Sequence, residues 1–350
     1  MYSDTSVLKV DYGQAVTTSP EAVALAAARA GDQEAFRRLT EPYTRELHVH
    51  CYRMLGSFHD AEDAVQETLL RAWRHLASFE GRSSFRAWLY RVATNVSLTK
   101  RHSARPEVPL PPSITEAVSV GTEPVIHLTP YPDALLDELE ATSGNPAAEV
   151  ELRESVQLAF LTALQLLPPR QRAVLILRDV VGFPADAVAE MLESTTASVT
   201  SALNRARVTL EQQRAAGRLQ TERMAVSDAV SASIVSRYVE AWQAMDIGKL
   251  VGLLKEDVVL TMPPLPLRFV GRAAVADFFR SLPPNPAGTF RVIETRANRQ
   301  PALAVYRRIG DVYRAWGIWV LTLDGDELAE IAAFIDADLV PKFGFSADLE

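Results

Sequence analysis

The stretch from Pro106 to Pro146 constrains the fold of this chain more than any other sequence feature. It contains many prolines and several acidic residues but no lysine or arginine. Such a composition offers too little apolar surface to form a core, so it predicts a linker. Within it, the sequence DALLDELE is compatible with a short helix over Asp133–Glu140. The chain of 350 residues is therefore expected to fold as several domains.

The segment before this linker, residues 20–105, has the pattern of a helical domain. Apolar residues recur at three- and four-residue spacing, and arginine is frequent toward its end. This spacing predicts amphipathic helices. The predicted helices are Glu21–Ala30, Asp32–Arg53, Asp60–His75 and Phe85–Arg101.

The segment after the linker, residues 147–214, is also helical, but a Pro-Pro pair and a Gly-Phe-Pro sequence interrupt it. A helix over Arg170–Val181 lies between these breaks. A short helix Ala185–Leu192, a polar turn and a second helix Ala197–Leu210 follow, with Thr195 or Thr196 as the N-cap of the second. This order is typical of a helix-turn-helix. Its two helices are expected to pack through Ala189, Val199 and Leu203.

A short tether, residues 215–227, leads to a third segment of different character, residues 228–350. Two predicted helices, Asp228–Met245 and Ile247–Leu254, are followed by stretches in which apolar and polar residues alternate. Alternation predicts strands, and the Asp-Gly pair at 324–325 is typical of a hairpin turn. Helices followed by strands indicate an α+β domain with a curved antiparallel sheet. The predicted strands are Val258–Met262, Thr289–Ala297, Ala302–Arg308, Val312–Asp324 and Glu327–Ile335.

Composition excludes several classes of protein. A single cysteine excludes a disulfide scaffold and a metal site built from cysteines. The net charge of −8 argues against a protein that coats nucleic acid indiscriminately. No apolar run is long enough to span a bilayer, and the first residues lack the pattern of a signal peptide. We therefore expect a cytoplasmic protein with no membrane partner, no metal and no cofactor.

The sequence Asp60–Trp73 carries a dense acidic face next to an apolar one. An ordinary solvated helix would also place acids near its positive N-terminal end. A cluster this dense is equally suited to a basic partner surface. The expected apolar face consists of Val65, Leu69, Leu70 and Trp73.

In the sequence Ser78–Arg91, aromatic and arginine residues alternate through a loop and into a helix. Binding of single-stranded DNA needs stacking faces beside positive charge, and extruding a base needs a pocket at a loop. The alternative is that Phe85, Trp88 and Leu89 belong to the core. The sequence leaves both interpretations open.

The outer face of the second helix of the predicted helix-turn-helix carries hydroxyl, amide and guanidinium groups. Such groups suit phosphate anchoring and base-edge contacts in a major groove. The same pattern also occurs in plain helical bundles. The members of this face are Thr196, Thr200, Ser201, Asn204, Arg205 and Arg207.

Taken together in this order, these sequences resemble a known family. The stretch Ala35–Thr99 resembles domain 2 of extracytoplasmic-function sigma factors, and the stretch Leu167–Leu210 resembles their domain 4. The last segment, with VGRAAVADFF and FIDADLVPKFGF, resembles a SnoaL-like domain. The combination resembles the SigG-type group, in which a SnoaL-like domain is fused to the C-terminus of the sigma factor.

The resemblance implies a non-catalytic subunit that gives RNA polymerase its promoter specificity. Its partners would be core RNA polymerase, through the β′ clamp helices and the β subunit, and promoter DNA. The implied polymerase-binding residues are Asp60, Glu62, Asp63, Gln66, Glu67, Arg71 and Trp73. The residues implied to bind the −10 element are Phe79, Arg82, Arg86, Trp88, Tyr90, Arg91, Asn95, Lys100 and Arg101. The −35 element would be read by Thr196, Thr200, Ser201, Asn204, Arg205 and Arg207.

Some features depart from the family pattern. Thr200 stands where many members have a basic residue, and Ala202 where they have arginine, so −35 binding should depend less on phosphate charge. Minimal family members use a separate membrane-bound anti-sigma factor, a partner that the fused domain makes uncertain here. The alternative function is a stand-alone helix-turn-helix regulator whose SnoaL-like domain senses a small ligand.

Three roles are open for the third segment: catalysis, ligand sensing, and regulation in cis through contacts with the other domains, which we favour. Isomerase chemistry needs a general base and a partner acid. No histidine follows His127, so a His/Asp pair is absent from this segment. The remaining acids and donors are Asp336, Asp338, Tyr238, Tyr306 and Tyr313. Aromatic residues expected to fill the interior are Trp242, Phe278, Trp316, Trp319 and Phe334.

Overall fold

The computed structural model describes residues 20–100, 128–143, 155–215, 227–263, 265, 267–281 and 286–350. We name its parts the first helical domain (residues 20–100), the linker (128–143), the second helical domain (155–215) and the third domain (227–350). Arg101, which the resemblance implies for the −10 element, lies outside the described residues.

The first helical domain contains four α-helices, as the sequence predicts. They are α1 Pro20–Arg29, α2 Gln33–Leu55, α3 Phe58–His75 and α4 Phe85–Thr99, with a 3-10 turn Leu76–Ser78 after α3. The Asp32 side chain caps α2, and Gly56, left-handed with φ 73°, ends it. Ser57 and Ser84 cap α3 and α4 by accepting backbone hydrogen bonds. Helix α2 packs against the other three.

The linker contributes one helix and the second helical domain four. They are α5 Asp133–Ser143, α6 Leu158–Leu166, α7 Pro169–Leu175 with a π-helical continuation Ile176–Val180, α8 Ala185–Met191 and α9 Thr196–Ala215. Helices α8 and α9 form the predicted helix-turn-helix. The Thr195 hydroxyl accepts a hydrogen bond from the Ser198 backbone at 3.1 Å and caps α9. Ala189, Val199 and Leu203 are buried between the helices, which confirms that prediction.

The third domain folds helices α10–α12 against a curved sheet of seven strands. The helices are α10 Asp228–Gln243, α11 Ile247–Gly252 and α12 Arg272–Ser281. The strands are β1 Leu254–Thr261, β2 Arg268–Val270, β3 Phe290–Ala297, β4 Gln300–Ile309, β5 Val312–Asp324, β6 Glu327–Phe334 and β7 Asp348–Leu349. The sequence analysis did not predict α12, β2 or β7.

The sheet is mixed rather than wholly antiparallel. Its order is β2-β1-β6-β5-β4-β3, with β7 paired to β5. All strand pairs are antiparallel except β1 and β6, which are parallel. The reason is the path of the chain. It leaves β1 for the edge strand β2, crosses through α12 to the far edge, and returns by consecutive hairpins until β6 lies beside β1.

Both faces of this sheet are buried, in two separate apolar clusters. The inner face packs against α10 and α12 around Trp242 and Trp319. Tyr306, Ile318 and Phe334 lie on the outer face, in the same cluster as the cores of the two helical domains. Phe334 therefore does not fill the interior, contrary to the sequence expectation. The third domain is thus attached to the rest of the chain through a continuous core.

Candidate polymerase and promoter interface

Helix α3 presents to solvent the face that the sequence assigns to core RNA polymerase. Asp63, Gln66 and Leu70 are exposed along it at three- and four-residue spacing. Leu70, a member of the predicted apolar face, is 42% exposed. An exposed leucine beside acidic side chains offers apolar area that a partner can bury. Leu70 is therefore a member of this surface that the sequence reasoning missed.

The acids at the start of α3 differ in their availability. Asp60 is buried, so in this structure its carboxylate is not offered to a partner. Glu62 accepts a hydrogen bond from the Lys342 ammonium at 2.8 Å, and Lys342 belongs to a 3-10 helix of the third domain. Asp63 pairs with Lys100 at 3.0 Å and remains largely exposed. The third domain therefore reaches the predicted polymerase-binding surface.

Further along α3, the predicted residues are engaged within the first helical domain. Glu67 and Arg71 form an ion pair at 2.5 Å one helical turn apart. Trp73 packs edge-on against Phe36 with ring centroids 5.1 Å apart. An exposed ion pair such as Glu67–Arg71 contributes about 0–1 kcal/mol to stability, so a partner can rearrange it at little cost.

The loop before α4 is built on an aromatic cluster. The Phe79 ring is 6% exposed and packs against Phe85 and Trp88 at 5.6 and 5.3 Å. The Arg29 guanidinium donates a hydrogen bond to the Phe79 carbonyl and lies over its ring. The Phe79 ring, which the resemblance implies for the −10 element, therefore belongs to the core in this structure. Arg82, in contrast, is exposed and pairs with Glu80.

Helix α4 carries most of the remaining residues predicted for the −10 element, and several of them are engaged. Arg86 donates to the Glu46 carboxylate through two nitrogens, the shorter distance being 2.7 Å. The Tyr90 side chain is 2% exposed and its hydroxyl lies 3.2 Å from the same carboxylate. Burial is the main cause that raises the pKa of Tyr90 far above its usual value. In this arrangement Tyr90 is therefore covered rather than exposed, and its assignment to the −10 element stays a prediction.

The second helical domain covers part of α4. The Phe183 ring lies 5.2 Å from the Tyr90 ring. Arg91 donates to the Glu193 carboxylate at 3.0 Å, and Glu193 belongs to the helix-turn-helix turn. A cleft of about 580 Å³ continues this seam, lined by Asn95, Leu98, Thr99, Pro168, Pro169, Arg170, Leu192 and Glu193. We call this contact between α4 and the helix-turn-helix the closed arrangement.

Helix α9 offers the residues predicted for the −35 element to solvent. Thr196, Thr200, Ser201, Asn204, Arg205 and Arg207 are all exposed. Val199, Leu203 and Ala206 are buried beneath them. Arg207 alone of these has a charged partner in the described residues, since its guanidinium binds both oxygens of Asp179 at 2.7 and 2.8 Å. This face is therefore open in the closed arrangement.

One asparagine joins the third domain to the other parts of the chain. Asn298 lies in the turn between β3 and β4, with φ 56°, and is fully buried. Its side-chain oxygen accepts from the Tyr131 backbone at 2.8 Å. Its side-chain nitrogen donates to the Tyr52 hydroxyl at 2.9 Å and to the Val156 carbonyl at 2.6 Å. We call these four residues the Asn298 junction, because they belong to α2, the linker, the second helical domain and the third domain.

The neighbouring residue extends the junction with charge. The Arg299 backbone donates to the Asp133 carboxylate at 2.7 Å, and its guanidinium pairs with Asp137 of α5. Arg296 binds the second oxygen of Asp133 at 3.2 Å. The linker helix is thus fixed to the β3–β4 hairpin by two acidic residues. The sequence analysis assigned no role to any of these residues.

Comparison with known proteins agrees with this architecture. Three family models match: Sigma-70 region 2 over residues 39–106, Sigma-70, region 4 over 157–210, and a SnoaL-like domain over 235–331. The chain is 41% identical over 335 residues to the ECF RNA polymerase sigma factor SigG of Mycobacterium tuberculosis, spanning 92% of this chain and 86% of that protein. The chain belongs to the extracytoplasmic-function RNA polymerase sigma factors.

Other relatives cover less of the chain or are more distant. The ECF RNA polymerase sigma factor SigW of Bacillus subtilis is 31% identical over 183 residues, which is 52% of this chain and 90% of that protein. The crystal structure of the extracytoplasmic-function sigma factor SigJ of Mycobacterium tuberculosis aligns with a TM-score of 0.53 at 23% identity, covering 89% of this chain and 98% of that one. This likeness supports the fold, including a SnoaL-like third domain.

As a sigma factor, the chain acts with core RNA polymerase in promoter-directed transcription initiation. The sequence-based identification of the family, the fold class and this function is confirmed. In the part of the chain that the structure describes, no helix is long and apolar enough to cross a membrane.

The third domain of this sigma factor does not bring its candidate catalytic residues together. The Asp336 side chain caps the following 3-10 helix by accepting from the Asp338 backbone. Tyr306 and Tyr313 pack against the outer cluster, where their hydroxyls donate to the carbonyls of Ser346 and Gly288. Tyr238, on the inner side of the sheet, is therefore separated from them by the sheet itself.

Proposed function

We propose that α9 reads the −35 element, that α4 and the loop before it bind the −10 element, and that the exposed face of α3 docks on the β′ clamp helices of core RNA polymerase. The exposure of all six polar residues of α9 supports the first assignment. Leu70 joins the acids of α3 in the proposed polymerase surface. Phe79 and Tyr90 serve as the core beneath the −10 site rather than as DNA contacts.

We further propose that the third domain regulates initiation in cis by holding the closed arrangement. The observation that carries this proposal is the 3.0 Å contact between Arg91 of α4 and Glu193 of the helix-turn-helix. The −35 and −10 elements are separated by about 25 base pairs, or roughly 85 Å at 3.4 Å per base pair. Two surfaces in direct contact cannot reach both elements at once, so the domains must separate before promoter binding.

Two contacts support the third domain as the part that keeps the domains together. The Asn298 junction joins both helical domains and the linker through one buried side chain. Lys342 binds Glu62 on the surface proposed for the polymerase. Core RNA polymerase would therefore compete directly with the third domain for α3. A closed arrangement formed within the chain needs no separate anti-sigma factor.

The proposal is tested by measuring the distance between the helical domains in the full chain. Cys51 is buried, and burial raises its pKa to about 12, so maleimide dyes will label only introduced cysteines. Ala77→Cys and Ala197→Cys place dyes at exposed positions on the first and second helical domains. We expect energy transfer to fall when purified core RNA polymerase is added. Equal transfer in the free and polymerase-bound sigma factor would contradict the proposal.

A second candidate role, ligand sensing by the third domain, is favoured by polar atoms buried inside it. The Trp319 indole N–H has no hydrogen-bond partner among the described residues. The Tyr238 hydroxyl and the Trp242 indole N–H have no partner outside their own pair. Buried indole donors usually find an acceptor. An uncharged, mostly apolar molecule with an acceptor oxygen would satisfy them.

This second role is tested by thermal unfolding of the full chain with uncharged planar ketones and quinones. Binding to the folded state stabilises it by RT ln(1 + L/Kd), where L is the ligand concentration, so the melting temperature rises with the logarithm of ligand concentration once that concentration exceeds the dissociation constant. We expect any such shift to be lost in Trp319→Phe, which keeps an aromatic side chain but replaces the indole with a smaller phenyl ring and removes the N–H donor. A shift that persists in this variant would place the ligand elsewhere.

A further inference from the structure

The turn of the helix-turn-helix holds a glutamate in a backbone conformation that favours glycine. Glu193 has φ 50°, in the left-handed region. Hydrogen bonds from the Glu193 backbone to Glu190 and from the Ser194 backbone to Ala189 close the end of α8 around it. Such positions at helix ends are usually glycine, because a side chain there is strained. A strained residue that a structure retains is a reason to ask what its side chain does.

The side chain of Glu193 reaches out of its own domain. Its carboxylate, 75% exposed, accepts a hydrogen bond from the Arg91 guanidinium at 3.0 Å. Arg91 lies on α4 of the first helical domain, among the residues proposed for the −10 element. The pair therefore connects the strained turn of one DNA-binding domain to the DNA-binding helix of the other.

Two other cations, Arg86 on α4 and Lys100 directly after its end, are neutralised from within the first helical domain. Arg86 is bound by Glu46, and Lys100 by Asp63. Arg91 is the position on α4 whose acidic partner comes from the second helical domain. Separation of the domains therefore removes the counterion of Arg91 and leaves those of Arg86 and Lys100 in place.

A carboxylate and a phosphate offer a guanidinium the same kind of paired oxygens. We propose that Glu193 is an intramolecular competitor of promoter DNA: in the closed arrangement its carboxylate occupies Arg91 where a phosphate of the −10 strand binds in the open one. The inference rests on the proposed assignment of α4 to the −10 element. Glu193, a residue of the helix-turn-helix that is assigned to the −35 element, would then oppose binding of the −10 element.

The test uses the full chain and a fluorescein-labelled oligothymidylate of 15 nucleotides, followed by anisotropy at low salt. Glu193→Gln should bind this strand about two- to five-fold more tightly than the unmodified chain, the range expected for loss of one exposed pair. Glu190→Gln is the matched control, since it neutralises a nearby exposed acid outside the pair and should leave affinity unchanged. Arg91→Ala should weaken binding, and Glu193→Gln added to it should bring no further change.

A glycine variant separates the charge from the strain of the turn. Glu193→Gly relieves the left-handed backbone, so it should fold at least as stably as the unmodified chain and bind the strand as tightly as Glu193→Gln. If Arg91→Ala weakens binding but neither Glu193 variant strengthens it, the competitor role is wrong and the −10 assignment stands. If Arg91→Ala binds like the unmodified chain, Arg91 does not contact the strand, and both the −10 assignment of Arg91 and the competitor role fall.

Discussion

Replacing Asn298 with glycine should release the third domain from the helical domains without unfolding any of them. The change removes three hydrogen bonds and leaves the Tyr131 N–H and the Val156 carbonyl without their partner. Each buried polar group left unsatisfied costs about 1–3 kcal/mol, so the junction should lose about 2–6 kcal/mol. The Tyr52 hydroxyl keeps its hydrogen bond to the Thr129 carbonyl at 2.7 Å and adds little to this loss.

Because about 1.4 kcal/mol is a factor of ten, the ratio of closed to open molecules should fall at least about thirty-fold. Glycine is chosen because it accepts the left-handed backbone of position 298 at no cost. Asn298→Ala should open the chain to the same extent but keep the β-carbon that the native asparagine also carries at that φ, so its hairpin should be about 1–2 kcal/mol less stable than that of Asn298→Gly. The two variants therefore separate the lost hydrogen bonds from backbone strain.

The assay is energy transfer between dyes at Ala77→Cys and Ala197→Cys, with circular dichroism to establish that the helices remain. We expect lower transfer in Asn298→Gly without polymerase, close to the value of the unmodified chain with polymerase. A distance distribution that stays closed in the glycine variant, with secondary structure intact, would refute the claim that the junction holds the domains together. Loss of circular dichroism signal instead would show that the junction is required for folding of the helical domains.

Three further predictions concern the other surfaces. Reversing the charge of Asp63 and Glu67 together should weaken binding of core RNA polymerase. Because both are surface positions, the free energy of unfolding should change by only about 0.5 kcal/mol. Unchanged affinity for the polymerase in a pull-down titration would contradict this prediction. Asn204→Ala should cost about 1–3 kcal/mol on the preferred −35 sequence and less on altered ones, measured by competition with a library of duplexes. Burial lowers the pKa of His48 to about 4 and of His50 to about 3. Below about pH 6.5 the unfolded chain therefore binds more protons than the folded chain. Each of these histidines should remove up to about 2 kcal/mol of stability as the pH falls from about 7 to about 5. Urea unfolding at pH 7 and pH 5 checks this last expectation. In His50→Gln, the difference in the free energy of unfolding between the two pH values should be roughly half of that in the unmodified chain.

The helices of the sigma domains could be predicted because their signals are local. Apolar spacing places the helices, and caps such as Asp32 and Thr195 fix their starts within a residue or two. The exposed face of α9 follows from the same spacing, since Val199 and Leu203 can only point inward. These features depend on neighbours three or four residues away, which the sequence shows directly.

Burial that depends on distant partners could not be predicted from the sequence. Tyr90 lies on the side of α4 that a lone helix would expose, but Glu46 of α2 and Phe183 of the second helical domain cover it. Leu70 belongs to the apolar face of α3, yet among the described residues no element covers it, and it is 42% exposed. Hydrophobic periodicity shows that a helix has an apolar face and a polar face. It does not show how many of these faces are covered by other parts of the protein.

The Asn298 junction and the parallel strand pair could not be found from sequence for a related reason. An Asn-Arg pair between two strands predicts a turn, and nothing near it specifies that the turn inserts between α2 and the linker. Alternation likewise predicts β1 and β6 as strands but carries no information on which strand lies beside which. Both features are set by the path of the whole chain.

The parallel pairing of β1 and β6 also has a consequence for newly synthesised protein. The parallel strand pair of the third domain needs β6, which ends at Phe334, about 120 residues after α9 ends at Ala215. At about 5–20 residues per second, a ribosome adds that length in about 6–24 s. During this interval both DNA-binding domains have been made, while the sheet that carries Asn298 and the segment that carries Lys342 are incomplete. Each new molecule is therefore expected to pass through a brief period, at the site of its own translation, in which it can engage polymerase without the third domain that we propose regulates it.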